Sequence, residues 1–381
     1  MTEKRTIPIA APCTGEDEWQ AVRESLMTGW LTQGPKVAAF ERAFAERHRV
    51  AHALAASNCT AALHLVLAAM GIGPGDEVIV PAFTWVASAN AVIYCGGTPV
   101  LADVDGATYN LDPADVARRL TRRTKAVMCV HLFGLCADVD AVAAAAPGVP
   151  VVEDAACAAG AAYRGRPAGG LGLAAAFSFH PRKSITTGEG GMVTTHDGAL
   201  ADRVDALRNH GASLSEEQRH RGPHPYLLPE FDVLGYNYRM TDLQGAIGLV
   251  QLGKLDALLA ERRRWAAWYA EKLADLPWLH TPAVPDDREH AWQAYVCRVD
   301  PTTAPAPRND LMDALQARGV STRPGTHALH VLGYYRRRFG LSEGDLPAAA
   351  DCHHETMAIP LHNRMTADDY AYVVDALHSL G

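Results

Sequence analysis

A lysine and an aspartate each stand at the end of a short apolar stretch. Lys183 lies in the turn that follows AAFSFH at 175–180, and Asp154 closes PVVED at 150–154. Parallel strands end at one edge of a sheet, so two such stretches can present an amine and a carboxylate to one cleft. This pair suits pyridoxal phosphate, since an amine forms a Schiff base with the aldehyde and a carboxylate keeps the pyridine nitrogen protonated. Taken singly, the lysine is also typical of a solvated turn, and the aspartate of a helix cap.

Groups for the remaining parts of that cofactor stand near other predicted strand ends. The segment SNCTA at 57–61 opens a predicted helix, whose N–H groups and dipole favour a phosphate. A hydroxyl and an indole complete the set, the first for the phosphate and the second for one face of the ring. The predicted cofactor-binding residues are Ser57, Asn58, Cys59, Thr60, Trp85 and Ser178. The alternatives are an ordinary capped helix and a core tryptophan.

The elements that must position these groups follow an alternating pattern. Short β-branched runs at 77–83, 98–104, 125–133, 150–154, 175–180 and 191–195 predict strands, with helices between most of them. Apolar residues at i, i+3, i+4 and i+7 predict an amphipathic helix over 60–70. This alternation is typical of an α/β fold with a mostly parallel sheet. A charged helix from about residue 255 then predicts a large domain over 1–255 and a smaller one over 256–381.

Composition limits the class of protein. The 381 residues are 48% hydrophobic with a net charge of −8, which favours a globular enzyme and argues against a nucleic-acid partner. The apolar runs are too short for a membrane span, and the first residues lack the apolar stretch of a secretory signal. Eight scattered cysteines show no zinc spacing, so no metal is expected. We therefore expect a cytoplasmic protein with a small-molecule substrate.

A series of motifs in one order resembles the DegT/DnrJ/EryC1/StrS family of pyridoxal-phosphate sugar aminotransferases. The resemblance covers nearly the whole chain. It is carried by GWLTQGPKVAAFE (29–41), SNCTAALHLVL (57–67), DEVIVPAFTWVASANAV (76–92), EDAACAAGA (153–161), FSFHPRKSITTGEGGMV (177–193), LRNHG (207–211), YNYRMTDLQGAIGLVQL (236–252), THALH (326–330) and IPLH (359–362). It implies the fold type I, aspartate aminotransferase-like architecture, with a seven-stranded sheet between helices and a smaller α+β C-terminal domain.

The resemblance also implies roles for single residues. Lys183 would be the Schiff-base lysine, with an amine pKa that the site must lower for proton transfer. The other implied roles are Asp154 for the pyridine nitrogen, Trp85 for stacking, Thr60 and Ser178 for the phosphate, and Asn237 for the phosphate of a neighbouring subunit in a homodimer. Two positions depart from the family pattern. Cys157 replaces a frequent glutamine expected near the phenolic oxygen of the cofactor, and Cys59 replaces a frequent glycine.

The implied reaction moves an amino group from L-glutamate to a keto sugar. The phrase ITTGEGGM at 185–192 resembles members that aminate C4 of a nucleotide-linked 4-keto-6-deoxyhexose. A C3-keto sugar and a cyclitol ketone are the alternatives, while a sugar dehydratase is disfavoured by the lysine and a regulator by the lack of a DNA-reading motif. Candidate substrate residues are Trp30, Thr32, His180, Arg239, His327 and His330. The alternative roles are a structural salt bridge for Arg239 and a hydrogen bond between domains for His330.

Overall fold

A computed structural model describes residues 5–214, 226 and 228–381 of the chain. The strands are β1 (His52–Ala56), β2 (Glu77–Pro81), β3 (Phe83–Thr84), β4 (Thr98–Ala102), β5 (Thr124–Val130), β6 (Val151–Asp154), β7 (Ala162–Tyr163), β8 (Arg166–Pro167), β9 (Ala174–Ser178), β10 (Gly191–Thr195), β11 (Leu279–His280), β12 (Arg288–Glu289), β13 (Tyr295–Val299), β14 (Arg323–Pro324), β15 (His327–Ala328) and β16 (Thr356–Ile359). The six predicted strands are all present, and most are a few residues shorter than predicted.

Helices separate most of these strands. They are α1 (Glu16–Thr28), α2 (Pro35–His48), α3 (Cys59–Ala69), α4 (Ala87–Tyr94), α5 (Pro113–Arg119), α6 (Val139–Ala145), α7 (Gly198–Arg208), α8 (Asp242–Lys272), α9 (Arg308–Ala317), α10 (Gly333–Phe339), α11 (Pro347–Glu355) and α12 (Ala367–His378). Within the described residues, none of them is both long and apolar enough to cross a membrane.

The main sheet has seven strands in the order β1-β10-β9-β6-β5-β2-β4. The five strands from β9 to β4 run parallel, while β10 runs antiparallel to both of its neighbours. Aliphatic side chains on both sheet faces are buried under helices, as parallel sheets require. The expected α/β fold with a mostly parallel seven-stranded sheet is confirmed. Its parallel strands place Asp154 and the residues after Ser178 at one edge.

Helix α3 starts where the sequence predicts but is not amphipathic. The Asn58 side chain caps it by accepting a hydrogen bond from the Ala61 N–H at 2.8 Å. Almost every residue from Ala61 to Ala69 is buried, because α3 packs against β9, β10, α4 and α7. The predicted single apolar face is therefore wrong, and the first turn of α3 is held inside the fold.

Helix α8 starts at Asp242, well before the charged stretch that predicts it. Its first turns pack on α1 and α2, and its later turns belong to the core beneath a second sheet. That sheet is antiparallel, in the order β11-β13-β16-β14. The predicted domain boundary at residue 255 falls within α8. One continuous helix therefore packs against α1 and α2 at its start and against the core of the second sheet at its end.

Candidate active site

Asp154 ends β6 with a carboxylate that is almost completely buried, at 4% exposure. Its Oδ2 accepts a hydrogen bond from Ser88 Oγ at 2.7 Å, and its Oδ1 accepts one from the Ala156 N–H at 3.2 Å. Burial raises the pKa of this carboxyl, and the two hydrogen bonds only partly oppose the shift. Such a carboxylate gains from a cationic partner, because it has lost its hydration.

Lys183 follows β9, and its Nζ lies 3.1 Å from Cys157 Sγ. Burial lowers the pKa of the amine, but the neighbouring Cys157, Cys59 and Asp154 outweigh burial, and the net direction is upward. The residues around Lys183 thus shift its pKa in the direction opposite to the expected one. Both cysteines and Asp154 are thus close enough to Lys183 to affect the pKa of its amine.

The backbone of the lysine turn is fastened on both sides. The Lys183 N–H donates to the His180 carbonyl at 2.8 Å, which closes the turn. Gln293 Nε2 donates to the Arg182 carbonyl at 2.9 Å, and the Thr186 N–H donates to Gln251 Oε1 of α8 at 3.2 Å. These contacts come from distant parts of the sequence, so tertiary structure fixes the position of the turn.

The start of α3 lies against the glycines that follow the lysine turn. A Cβ added to Gly191 would stand 2.5 Å from the Asn58 carbonyl and 2.8 Å from the Cys59 nitrogen. Only glycine allows β10 to approach the helix N-terminus this closely. Asn58 already bonds the N–H of Ala61, and the N–H groups of Cys59 and Thr60 precede any intrahelical bond. Free N–H groups at a helix N-terminus are suited to binding an anion, which is the role that the sequence predicts for this end of α3.

Trp85 and His327 lie together next to Asp154. The Trp85 indole is 60% exposed, and its ring makes an edge contact with the His327 ring at a centroid distance of 5.5 Å. The Trp85 carbonyl accepts a hydrogen bond from the Ser88 N–H at 3.2 Å, and the Ser88 hydroxyl donates to Asp154 Oδ2 at 2.7 Å. The tryptophan is therefore not a core residue, and Ser88 ties it to the carboxylate.

Several other predicted residues lie at the surface or in hydrogen bonds of their own. His180 is partly buried, and its Nδ1 accepts from the Arg182 N–H at 3.2 Å; burial lowers its pKa. Arg239 donates from Nη1 to Asn209 Oδ1 at 2.6 Å rather than to a carboxylate. Of three further predicted residues, Ser57 is half-buried, and Thr32 and Asn237 are exposed.

Two predicted substrate residues are bonded inside the chain. Trp30 donates from Nε1 to the Gln33 carbonyl at 3.2 Å. His330 is fully buried, with its Nε2 3.2 Å from the Glu343 carbonyl. Of the two interpretations of His330, a hydrogen bond within the fold is favoured over a cleft residue.

Ser88 and the hydrogen-bonded pair of Glu153 and His131 were not predicted from the sequence. Ser88 follows Trp85 by three positions, a spacing that places both on one side of a starting helix, and this was the available signal. Glu153 is fully buried beside Asp154 and accepts from His131 Nε2 at 2.9 Å and from the N–H of Gly169 at 2.8 Å. Burial opposes the charge of Glu153, yet these donors hold its pKa below the ordinary value.

The donor set fits pyridoxal phosphate. A partly buried amine, a desolvated carboxylate, a free helix N-terminus and an exposed indole match the aldehyde, ring nitrogen, phosphate and ring face. Cys59 Sγ donates to the Ala176 carbonyl at 3.8 Å. Ala176 lies in β9, two residues before Ser178, so this bond links the start of α3 to the end of β9. Among the described residues, no group of three or more acidic, histidine or cysteine side chains is arranged to hold a metal ion.

The model of the DegT/DnrJ/EryC1/StrS aminotransferase family matches residues 12–378. The chain belongs to this family. It is 42% identical to the GDP-perosamine synthase of Caulobacter vibrioides over 99% of both chains, and 41% identical to the spore coat polysaccharide biosynthesis protein SpsC of Bacillus subtilis over 100% of this chain and 99% of that one. An aminotransferase structure from Psychrobacter cryohalolentis superimposes with a TM-score of 0.92 at 32% identity, covering 98% of each chain.

Membership fixes the class of the enzyme. The chain is a pyridoxal-phosphate-dependent aminotransferase of sugar biosynthesis, with the fold type I architecture. Solved structures similar to this chain include PLP and PMP forms, as expected for a cofactor that carries the amino group. The expectations for family, fold, enzyme class and cofactor are confirmed.

Proposed function

We propose that this aminotransferase moves the amino group of L-glutamate to C4 of a nucleotide-linked 4-keto-6-deoxyhexose. The strongest support is the 42% identity, over 99% of both chains, to an enzyme whose name gives a GDP-linked product. The phrase ITTGEGGM at 185–192 supports the choice of C4. A C3-keto sugar or a cyclitol ketone is the competing acceptor within the same reaction class.

Each residue of the site has its own role in the proposed reaction. Bound PLP accepts and returns the amino group and withdraws electrons from the reacting carbon. Asp154 would keep a positive charge on the ring nitrogen. Lys183 Nζ would hold the cofactor and then carry a proton between C4′ of the cofactor and the reacting carbon of the bound substrate, which is Cα of the donor or the keto carbon of the sugar. The α3 N-terminus with Thr60 and Ser178 binds the phosphate, and Trp85 covers the ring.

Substrate identity is testable with a panel of ketones. GDP-, UDP- and dTDP-linked 4-keto-6-deoxyhexoses, a 3-keto isomer and scyllo-inosose are incubated with enzyme, PLP and L-glutamate, and products are followed by mass. We expect the amino product from a 4-keto nucleotide sugar together with 2-oxoglutarate. Amination of only the 3-keto sugar or the cyclitol would refute the C4 assignment. Borohydride reduction should attach the cofactor to the peptide that contains Lys183, and attachment elsewhere would refute the site.

We further propose that the enzyme is a cytoplasmic homodimer with shared sites. Asn237 is exposed, and the nearby segment exposes apolar side chains at Leu228 (79%), Phe231 (60%) and Leu234 (89%). Such a surface is costly in water and favours a protein contact. The Ser57 N–H donates to the Tyr238 carbonyl at 2.7 Å, so the segment adjoins the phosphate end of the site.

Subunit mixing tests the shared site. Asn237→Ala alone should weaken PLP retention, and Lys183→Ala alone should be inactive. Mixed subunits should regain activity, because one hybrid site then contains both wild-type residues. Hybrids that exchange subunits and stay inactive would show that each site is built from one chain. Sedimentation of the wild type as a monomer would refute the dimer.

A further inference from the structure

The contact between Lys183 and Cys157 joins the reactive amine of the site to a thiol. Their Nζ and Sγ atoms are 3.1 Å apart, and Cys157 is half-buried. The pair lies in the cofactor site itself, so any bond between the two side chains removes the amine that holds the aldehyde. We propose that Cys157 is an oxidation site at which peroxide links its sulfur to Lys183 Nζ, as a sulfenamide that blocks cofactor attachment.

The proposed bond forms in two balanced steps. In the first, the sulfur electron pair attacks one oxygen of hydrogen peroxide, the O–O bond breaks, and the other oxygen leaves as water; sulfur is oxidised by two electrons to S–OH. In the second, the neutral amine of Lys183 attacks that sulfur, an S–N bond replaces the S–O bond, and the hydroxyl leaves as water with a proton from nitrogen. Nothing is oxidised or reduced in the second step.

Proximity and electrostatics favour the proposed bond. Cys157 Sγ lies 3.1 Å from Nζ, so the S–OH group that peroxide produces forms within reach of the amine. The Cys157 thiol raises the pKa of Lys183 and burial lowers it, so once the thiol has become S–OH, burial favours the neutral amine. The first step thereby prepares the nucleophile of the second.

The other thiols do not share this setting. Cys129, Cys136 and Cys297 are fully buried, and burial raises the pKa of each, so they stay protonated and shielded. Burial likewise raises the pKa of Cys59, the second thiol of the site, which points to the Ala176 carbonyl. We therefore expect the bond to Lys183 to form at Cys157, whose Sγ lies 3.1 Å from Nζ.

Mass spectrometry of peroxide-treated enzyme tests the proposal. Holoenzyme with excess PLP is compared with enzyme freed of PLP by hydroxylamine, after far-UV circular dichroism confirms that both are folded. The freed enzyme should yield a linked Cys157–Lys183 peptide pair about 2 Da lighter than the two peptides together, and dithiothreitol should release it. PLP should prevent the link, because Nζ is then occupied.

Two variants separate this bond from other oxidation. Cys157→Ser should abolish the linked pair and the peroxide-dependent loss of PLP binding. Cys95→Ser, which removes a half-buried thiol directly after the last residue of α4, should retain both. Recovery of a Cys59–Cys157 disulfide, or of Cys157 as sulfinic acid with an unmodified Lys183 peptide, would overturn the proposal.

Discussion

Replacing Asp154 by asparagine removes a charge and almost nothing else. The amide oxygen can still accept from the Ala156 N–H, and its NH₂ can donate to Ser88 Oγ, so the two observed hydrogen bonds have equivalents. Burial raises the pKa of Asp154 above its ordinary value of 3.8, which means that the fold disfavours the charged form. The variant should therefore unfold at the same temperature as the wild type or higher.

The rate should fall because the cofactor ring loses its charge partner. Two unit charges about 4 Å apart are worth ~4 kcal/mol at the effective dielectric of a protein site. If hydrogen bonding to the asparagine recovers about a third, ~2.7 kcal/mol is lost, or ~10²-fold in rate at 1.36 kcal/mol per tenfold. Stopped-flow spectroscopy of the half-reaction with glutamate, at saturating PLP, measures this loss. A half-reaction within about threefold of wild type, with PLP bound, would refute the cofactor role of Asp154.

Substitutions at three further positions have separate expected outcomes. Glu153→Gln should lower the free energy of unfolding at neutral pH and make it depend less on pH in acid, because the lowered pKa of Glu153 gives stability that is present above pH 4.5 and lost as pH falls through the folded-state pKa. Urea unfolding at several pH values measures this, and a pH profile like that of the wild type would contradict it. Gly191→Ala should weaken PLP retention in fluorescence titrations, since its Cβ meets the Asn58 backbone at 2.5 Å, and unchanged affinity would show that the α3 N-terminus does not bind phosphate. Asn58→Ala should cost about 1 kcal/mol of stability, while Asn58→Asp should keep the cap but weaken PLP binding by charge repulsion; equal PLP affinity in Asn58→Asp and wild type would contradict the anion site.

The parts of the fold that the sequence did not predict depend on tertiary contacts. Strand β1, HALAA, lacks β-branched residues and forms by pairing with β10. The start of α8 contains glycines that weaken a helix prediction. In the fold, a Cβ at Gly245 would stand 2.7 Å from the Val37 nitrogen, and one at Gly248 would stand 2.6 Å from the Phe40 ring. Those glycines serve the packing of α2 on α8, which no local pattern shows.

The candidate site likewise has features that local sequence predicts and features that depend on tertiary contacts. The positions of Asp154 at the end of β6 and of Lys183 after β9 were predictable, because the β-branched runs that precede them are a local signal. Their roles in the cofactor site stay a prediction. The cap at Asn58 followed from residue type alone and is observed. The direction of the Lys183 pKa was not predictable, since it depends on the distance between Nζ and Cys157 Sγ. The burial of His330 was likewise not encoded in its local motif.

The two fastenings of the lysine turn limit how Lys183 can move. Gln293 bonds the Arg182 carbonyl and Gln251 bonds the Thr186 N–H, so the main chain is held in place on both sides of the lysine. In the proposed mechanism the Lys183 amine first holds the cofactor and then reaches the reacting carbons, and only its four side-chain torsions can move it, each with discrete staggered positions. On this proposal the proton is carried by rotation of one side chain over a few ångströms, without the opening of a loop.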